Sequence, residues 1–282
     1  MFPSKNMRVS ILILTLNEEQ NLPNCLQSVQ WSDDIVVFDS FSTDRTVEIA
    51  KSAGARVFQR RFDNEKNHRE ASLKLPFKYP WVYNPDADEI TPPDLHDEII
   101  KVVSDPNRKE VAYRVRFKTM FMGRWIKHSS LYPTWVVRLF RPEKISFSRD
   151  INLRYVVDGP EGQLACHFEH HSFNKGLSAW VEKHNSYSWY EAREAIKSLE
   201  ESPVSLRDIF STSSVARRRA LKELSFRLPF RPTLRFLYMY ILRLGFLDGW
   251  EGFTYCRLLS MYEYLIVLKM KEIRRRAKGL PM

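Results

Sequence analysis

Three apolar runs in the first third of the chain each stop at a polar cluster. Residues 8–14 (RVSILIL) lead into Thr15, Asn17, Glu18 and Glu19. Residues 34–39 (DIVVFD) end in Asp39, with Ser40 next and Asp44 shortly after. Residues 81–89 (WVYNPDADE) end in Asp86, Asp88 and Glu89. Runs this short and this apolar read as strands buried on both faces. Between them lie stretches of helical periodicity. Leu22, Cys25, Leu26 and Val29 recur within 19–30, and 42–53 opens on an N-cap type residue and stops at Gly54. A short strand at 56–59, a helix over 64–75 and another over 93–103 extend the alternation. Strand and helix in turn specify an α/β fold whose parallel sheet is covered on both faces. Ligands bind beyond the carboxyl ends of such strands, and all three polar clusters fall there.

The middle of the chain changes period. Arg114, Arg116 and Lys118 alternate with Tyr113, Val115 and Phe117, which is the pattern of a strand with one polar face. Residues 134–140, 155–157 and 163–168 read as further strands of a mixed or antiparallel extension of the same sheet, and 177–199 as a long helix. The best boundary signal lies within 201–212.

Charge sets the last quarter of the chain apart. The chain carries a net +10, yet residues 205–282 hold 16 Lys and Arg against 6 Asp and Glu, so the preceding residues balance. Residues 232–264 are rich in Leu, Phe, Tyr, Met and Ile but are interrupted by Arg235, Arg243 and Arg257. A membrane span needs roughly twenty consecutive apolar residues, and none is present. Amphipathic helices lying on an anionic membrane surface fit this composition. The competing reading is a helical cover for the sheet, or a homodimer through the same helices; nucleic acid is the weakest of the three. Cys25, Cys166 and Cys256 show no metal or disulfide spacing, which points to a reducing, cytoplasmic setting. The N-terminal apolar run is too short for a secretion signal.

No G-x-G-x-x-G and no P-loop comes after the first strand, so ordinary dinucleotide enzymes and P-loop kinases are poorly supported. Asp86-x-Asp88 suggests another way to hold phosphate. Two carboxylates at a strand end suit a hard divalent cation such as Mg²⁺ or Mn²⁺, and a cation there can bridge to a diphosphate.

The combination of L-T-L-N-E-E (14–19), V-F-D-S-F-S-T-D-R-T-V (37–47), E-K-N (65–67) and W-V-Y-N-P-D-A-D-E (81–89) resembles the family 2 inverting glycosyltransferases of GT-A fold. The likeness is closest to the bacterial branch that acts on lipopolysaccharide cores and exopolysaccharides. It extends through F-M-G-R-W-I-K-H (121–128), Y-P-T-W-V-V-R-L-F (132–140), V-V-D-G-P-E-G-Q-L (156–164), H-S-F-N-K-G-L (171–177) and K-H-N-S-Y-S (183–188) to R-F-L-Y-M-Y-I-L-R-L-G-F-L-D-G-W-E-G (235–252). The resemblance implies a GT-A Rossmann-like mixed sheet flanked by helices, with C-terminal amphipathic helices. It implies a catalytic domain over 1–204, with a nucleotide-sugar half to 110 and an acceptor half from 111, and a basic helical region over 205–282. The implied reaction moves a sugar from a nucleotide-diphosphate donor, a UDP-sugar first, to a saccharide, lipid-linked saccharide or polyprenyl phosphate at the inner face of the cell membrane.

Residue by residue, the resemblance places Thr15, Asn17 and Glu18 in the nucleotide pocket. Asp39 would accept a hydrogen bond from the base, Asp44 would hold the loop, and Lys66 would approach the diphosphate. Asp86 would lie near the ribose and the metal, with Asp88 as direct ligand. For Glu89 a catalytic role and a supporting one stand side by side. Lys183, His184, Asn185 and Tyr187 become candidates for acceptor or diphosphate contact, against a solvated helix face. One position departs from the pattern. Where the branch has a His-Glu or Asn-Glu pair as base, this chain has Asn152 and Leu153. Leucine accepts no proton, which leaves Asp150, or Asp158, as base, or an acceptor that needs none. Cys166, His167, His170 and His171 read as ordinary strand-end residues rather than a zinc site. Two alternatives remain: a sugar nucleotidyltransferase, which would want a glycine-rich basic loop after the first strand, and a membrane-docking scaffold with a degenerate site.

Overall fold

The computed structural model describes residues 9–148, 153–201 and 230–281. They form two compact units: one runs to Met120 and includes Tyr132–Lys175, the other holds Phe121–Leu131 and everything from Gly176.

The first unit is built on β1 (Val9–Thr15), α1 (Leu22–Ser28), β2 (Ile35–Asp39), α2 (Thr46–Ser52), β3 (Arg56–Gln59), α3 (Glu65–Ser72), β4 (Trp81–Tyr83), β5 (Glu89–Ile90) and α4 (Pro93–Ser104). β6 (Ala112–Phe121), β8 (Trp135–Phe140), β9 (Ile145–Ser148), β10 (Arg154–Val157) and β11 (Glu161–His170) come next, with β7 (Arg124–Trp125) in the second unit. The main sheet has the order β3-β2-β1-β4-β8-β6-β11-β5. Its β3-β2-β1-β4 half is parallel, and β8 runs antiparallel to both β4 and β6.

Alternation along β1 explains the two cores. Val9, Ile11 and Ile13 face Leu22, Cys25 and Leu26 of α1 and Leu95 and Ile99 of α4. Leu12 joins Val36, Phe38 and Val82 on the other face, with Ala71 of α3 packed against them. A sheet covered on both faces needs a near-continuous apolar run; β1 supplies one, broken by Ser10, whose buried hydroxyl is satisfied by Asp34.

The sequence reading needs correction in three places. β10 belongs to a separate two-stranded sheet with β9, not to an extension of the main one. α2 begins at Thr46, later than its periodicity suggests; the preceding residues form a loop in which the N–H groups of Ser42, Thr43 and Arg45 donate to the side chains of Asp39, Asn17 and Glu19. The division between units falls after Lys175, so the helix α5 (Gly176–Glu201) groups with the C-terminal helices rather than with residues up to 204. Most of the expected boundary, 202–212, lies outside the described residues.

In the second unit, α6 (Arg231–Leu237) continues through a π turn (Tyr238–Leu242) and a 3-10 turn (Gly245–Asp248) into α7 (Gly249–Ala277). Ala192 and Ala195 of α5 pack against Ile266 and Met270 of α7. Buried Lys269 fixes that pairing by donating to Asn185 Oδ1 and Ser188 Oγ, both at 2.7 Å.

Asp34 ties the far end of the first unit's sheet together. It is 2% exposed and accepts from Arg56 Nη2 at 2.6 Å and from the Lys78 N–H at 2.7 Å, as well as from the Ser10 hydroxyl. Asp34→Ala takes the acceptor from the buried Ser10 hydroxyl and from the partly buried Arg56 and Lys78 donors. It should destabilise the first unit by about 3 kcal/mol, read as a lower urea midpoint.

Candidate active site

The three polar clusters meet at the carboxyl ends of β1, β2 and β4. Thr15 and Asp39 are register partners, the last residues of neighbouring parallel strands. The Thr15 hydroxyl therefore donates to Asp39 at 2.9 Å. Asp39 is fully buried and also accepts from the Ser42 N–H, the Ser42 hydroxyl and Gln59 Nε2. Burial pushes its carboxyl up, but the bonds from Ser42, Gln59 and Thr15 outweigh this and hold it below the usual range. A carboxylate has about four acceptor sites, so the base contact implied for Asp39 would have to displace one of these bonds.

The loops after β1 and β2 are laced together in both directions. The N–H groups of Asn17, Glu18 and Glu19 donate to Ser42 Oγ, Thr46 Oγ1 and Asp44 Oδ2 at 2.8, 2.7 and 3.1 Å. In return the N–H groups of Thr43 and Arg45 donate to Asn17 Oδ1 and Glu19 Oε2 at 2.8 and 3.1 Å. Asn17 takes φ 55°, a left-handed conformation that asparagine tolerates better than most residues. Burial raises the Asp44 carboxyl, yet bonds from Thr46 and Glu19 bring it below its ordinary value. Glu18 receives Asn21 Nδ2 at 2.8 Å and pairs with Lys175 at 2.5 Å. Lys66 is half-buried in the first turn of α3, whose N-terminus Asn64 caps.

The third cluster is organised by Arg138 of β8, whose side chain is 8% exposed. One terminal nitrogen donates to both Asp86 and Glu89. Glu89 is buried and also accepts from the Asp86 N–H at 3.0 Å. Burial pushes its carboxyl up to about 7, with Asp86 adding to the rise and Arg138 opposing it. Asp86 goes the other way: burial raises it, but the guanidinium groups of Arg138 and Arg69 keep it low. Asp88 faces His170, at the end of β11, with Oδ2 and Nε2 3.3 Å apart. Burial opposes protonation of His170; the hydrogen bond and charge of Asp88, with Glu89 and Asp86, outweigh it and raise its pKa.

The sequence-derived site is therefore revised. Asp86 gives one oxygen to Arg138 and its side chain stays 37% exposed; His170, read as an ordinary strand-end residue, stands beside Asp88. Glu89 faces inward, to Arg138 and the backbone of the D-x-D turn. Asp150 lies outside the described residues. Asp158 is exposed and pairs with Lys144 at 2.9 Å. Lys183, His184, Asn185 and Tyr187 are on α5, in the second unit. There His184 stacks on Trp180 with ring centroids 3.7 Å apart, and Asn185 holds Lys269. His184 is half-buried, whereas Asn185 is exposed. Lys183 lies over the ring of Tyr187, which is exposed. Among the described residues no three His, Cys, Asp or Glu side chains gather around one point suited to a metal. The missed residue with a readable signal is Arg138. An arginine in the apolar run W-V-V-R-L-F cannot be buried without a counter-charge, and the D-A-D-E turn holds several carboxylates.

The family model described as glycosyl transferase family 2 matches residues 10–161. The chain belongs to that family. An uncharacterized glycosyltransferase of Rickettsia typhi is 24% identical over 295 residues, covering 97% of this chain and 90% of its own. The lipopolysaccharide core biosynthesis glycosyltransferase LpsC of Rhizobium meliloti is 24% identical over 279 residues, covering 97% and 95%. Among solved structures, Mycobacterium tuberculosis glucosyl-3-phosphoglycerate synthase with phosphoglyceric acid gives a TM-score of 0.43 at 18% identity, over 58% of this chain and 72% of that one. Staphylococcus aureus TarS 1–349 gives 0.42 at 14% identity, over 97% and 92%. This family 2 member has the mixed α/β sheet and C-terminal helices expected of it.

The Arg138 cluster has two measurable consequences. Arg138→Ala strands two carboxylates and should cost about 3–5 kcal/mol, seen as a large fall in thermal midpoint, with Arg138→Lys recovering part. Glu89 binds its proton more tightly folded than unfolded. Its contribution to stability is therefore full below its ordinary value of 4.5 and is lost as pH rises to about 7. Glu89→Gln should flatten that decline in denaturation midpoints measured across this window.

Proposed function

We propose that the chain is a metal-dependent, inverting hexosyltransferase of bacterial surface polysaccharide assembly. In this reading it moves a sugar from a UDP-sugar donor to a lipid-linked saccharide or polyprenyl phosphate at the cytoplasmic face of the cell membrane. The observation that carries it is the meeting of Asp88 and His170 beside the laced loops of β1 and β2, on a family 2 chain. The relation to a lipopolysaccharide core glycosyltransferase supports the choice of pathway.

The residues present fit a divalent cation. Asp88 and His170, hydrogen-bonded at 3.3 Å, would hold it in place of the proton they share. Two protein ligands leave positions for diphosphate oxygens and water, the usual arrangement for Mg²⁺ and Mn²⁺ at phosphates. An imidazole ligand favours Mn²⁺ over the harder Mg²⁺. A cation held there would supply positive charge to the departing diphosphate.

The protein does the rest. Thr15, Asn17, Glu18, Asp39 and Asp44 form a rigid floor for the nucleoside, with Asp86 towards the ribose and Lys66 towards the diphosphate. Arg138 and Glu89 are positioning residues: they hold the D-x-D turn so that Asp88 faces outward. For a hydroxyl acceptor we assign Asp150 as the base that takes its proton; a polyprenyl phosphate is already anionic and needs none. Lys183 and Tyr187 remain candidates for the acceptor.

The test is incubation with Mn²⁺ or Mg²⁺ and a panel of nucleotide sugars, monitoring nucleoside diphosphate release. Asp88→Ala should lower release by a factor of about 10³ or more, and His170→Ala should weaken Mn²⁺ binding about 10–100-fold. Pyrophosphate release from a nucleoside triphosphate and a sugar phosphate would indicate a nucleotidyltransferase. Absence of nucleotide-sugar binding would indicate a scaffold.

A further inference from the structure

The stretch Phe230–Trp250 has eleven exposed residues, and ten of them are apolar or aromatic. Phe230, Leu234, Ile241 and Leu242 recur at helical spacing along α6 and the π turn, and Leu242 is 75% exposed. The 3-10 turn then presents Leu247, with Trp250 beyond it at 70% exposure. Scattered exposed leucines are ordinary, but a contiguous apolar surface of this kind marks an interaction site.

The surface is held firmly from behind. Asp248 is buried and accepts the N–H groups of His128 and Ser129 at 2.8 and 2.6 Å. Phe253 packs against Phe236, Tyr240 and Trp250 at centroid distances of 5.8, 5.6 and 5.3 Å. Arg231 pairs with Glu263 at 2.7 Å, joining α6 to α7.

Charge decides what the surface meets. On α7 a stripe at helical spacing runs from Trp250 through Arg257, Met261 and Tyr264 to Lys271, all exposed. Arg257 lies over the ring of Phe236, so this stripe adjoins the α6 surface. The carboxylates of α7 are turned elsewhere: Glu251 pairs with Arg124, Glu263 with Arg231 and Glu272 with Arg276. The face thus combines apolar bulk with Arg and Lys, and α7 adds no unpaired carboxylate to it. A second copy docked symmetrically would set cation against cation. An anionic lipid surface accepts both features, aromatics and leucines in the acyl boundary and cations among headgroups. No described helix is long and apolar enough to cross a membrane.

We propose that Phe230–Trp250 and the exposed stripe of α7 form a monotopic docking face for an anionic lipid bilayer. This deepens the reading of a lipid-linked acceptor but is tested without one. The full chain is co-sedimented with vesicles of phosphatidylcholine, with and without phosphatidylglycerol. Binding should require phosphatidylglycerol and weaken with salt. Leu242→Glu with Leu247→Glu should lower vesicle affinity by about tenfold or more, while circular dichroism and nucleoside diphosphate release from a soluble donor stay unchanged. Arg257→Glu with Lys271→Glu should abolish the preference for phosphatidylglycerol. Wild-type protein that fails to sediment with these vesicles, or a leucine variant that binds as well as wild type, overturns the proposal. So does a dimer in sedimentation velocity that the leucine variant dissolves, if vesicle binding is absent. Loss of donor chemistry with intact vesicle binding would instead strike the transferase reading.

Discussion

One buried guanidinium makes the acidic end of this site possible. Asp86, Asp88 and Glu89 lie within four residues of each other, and like charges that close cannot all ionise without help. Arg138 provides it from the neighbouring antiparallel strand, reaching Asp86 and Glu89 together. Its charge is shared, so the two respond differently: Asp86 is held low and Glu89 is pushed up. Asp88 is left facing His170, 3.3 Å away at the end of β11. The division of labour comes from the order of the sheet, because β4 lies beside β8.

The loops after β1 and β2 are arranged by different physics. Hydrogen bonds between the two loops fix them where no glycine-rich turn is present. Backbone donors of one loop meet side-chain acceptors of the other, and the reverse, so neither loop can move alone. Asn17, Glu19 and Asp44 are the side chains that hold the two loops together.

The basic C-terminal part solves a separate problem. Its α7 carboxylates are consumed in ion pairs on its own surface, which leaves Arg257, over the Phe236 ring, and Lys271 on the exposed stripe with Trp250, Met261 and Tyr264. The net charge read from composition thus becomes a face with a defined chemistry. His184 and Asn185, candidates for acceptor contact from family likeness, also join α5 to α7 through Tyr262 and Lys269.

The linear sequence determined the strands β1, β2 and β4, the helices between them and the collection of polar clusters at one sheet edge. Period and burial pattern are local properties, and RVSILIL or DIVVFD can hardly satisfy them in another way. The D-A-D-E turn was legible for the same reason, as charge where an apolar run stops. Only the tertiary structure decided which carboxylate faces which partner. Arg138, His170 and Lys175 come from β8, from β11 and from the turn after it, far along the chain from Asp86, Asp88 and Glu18. Pairings across strands depend on sheet order and register, and no local periodicity encodes those. The short β5 and β9 escaped for a related reason: two or four residues carry too little pattern to be seen until a partner strand holds them.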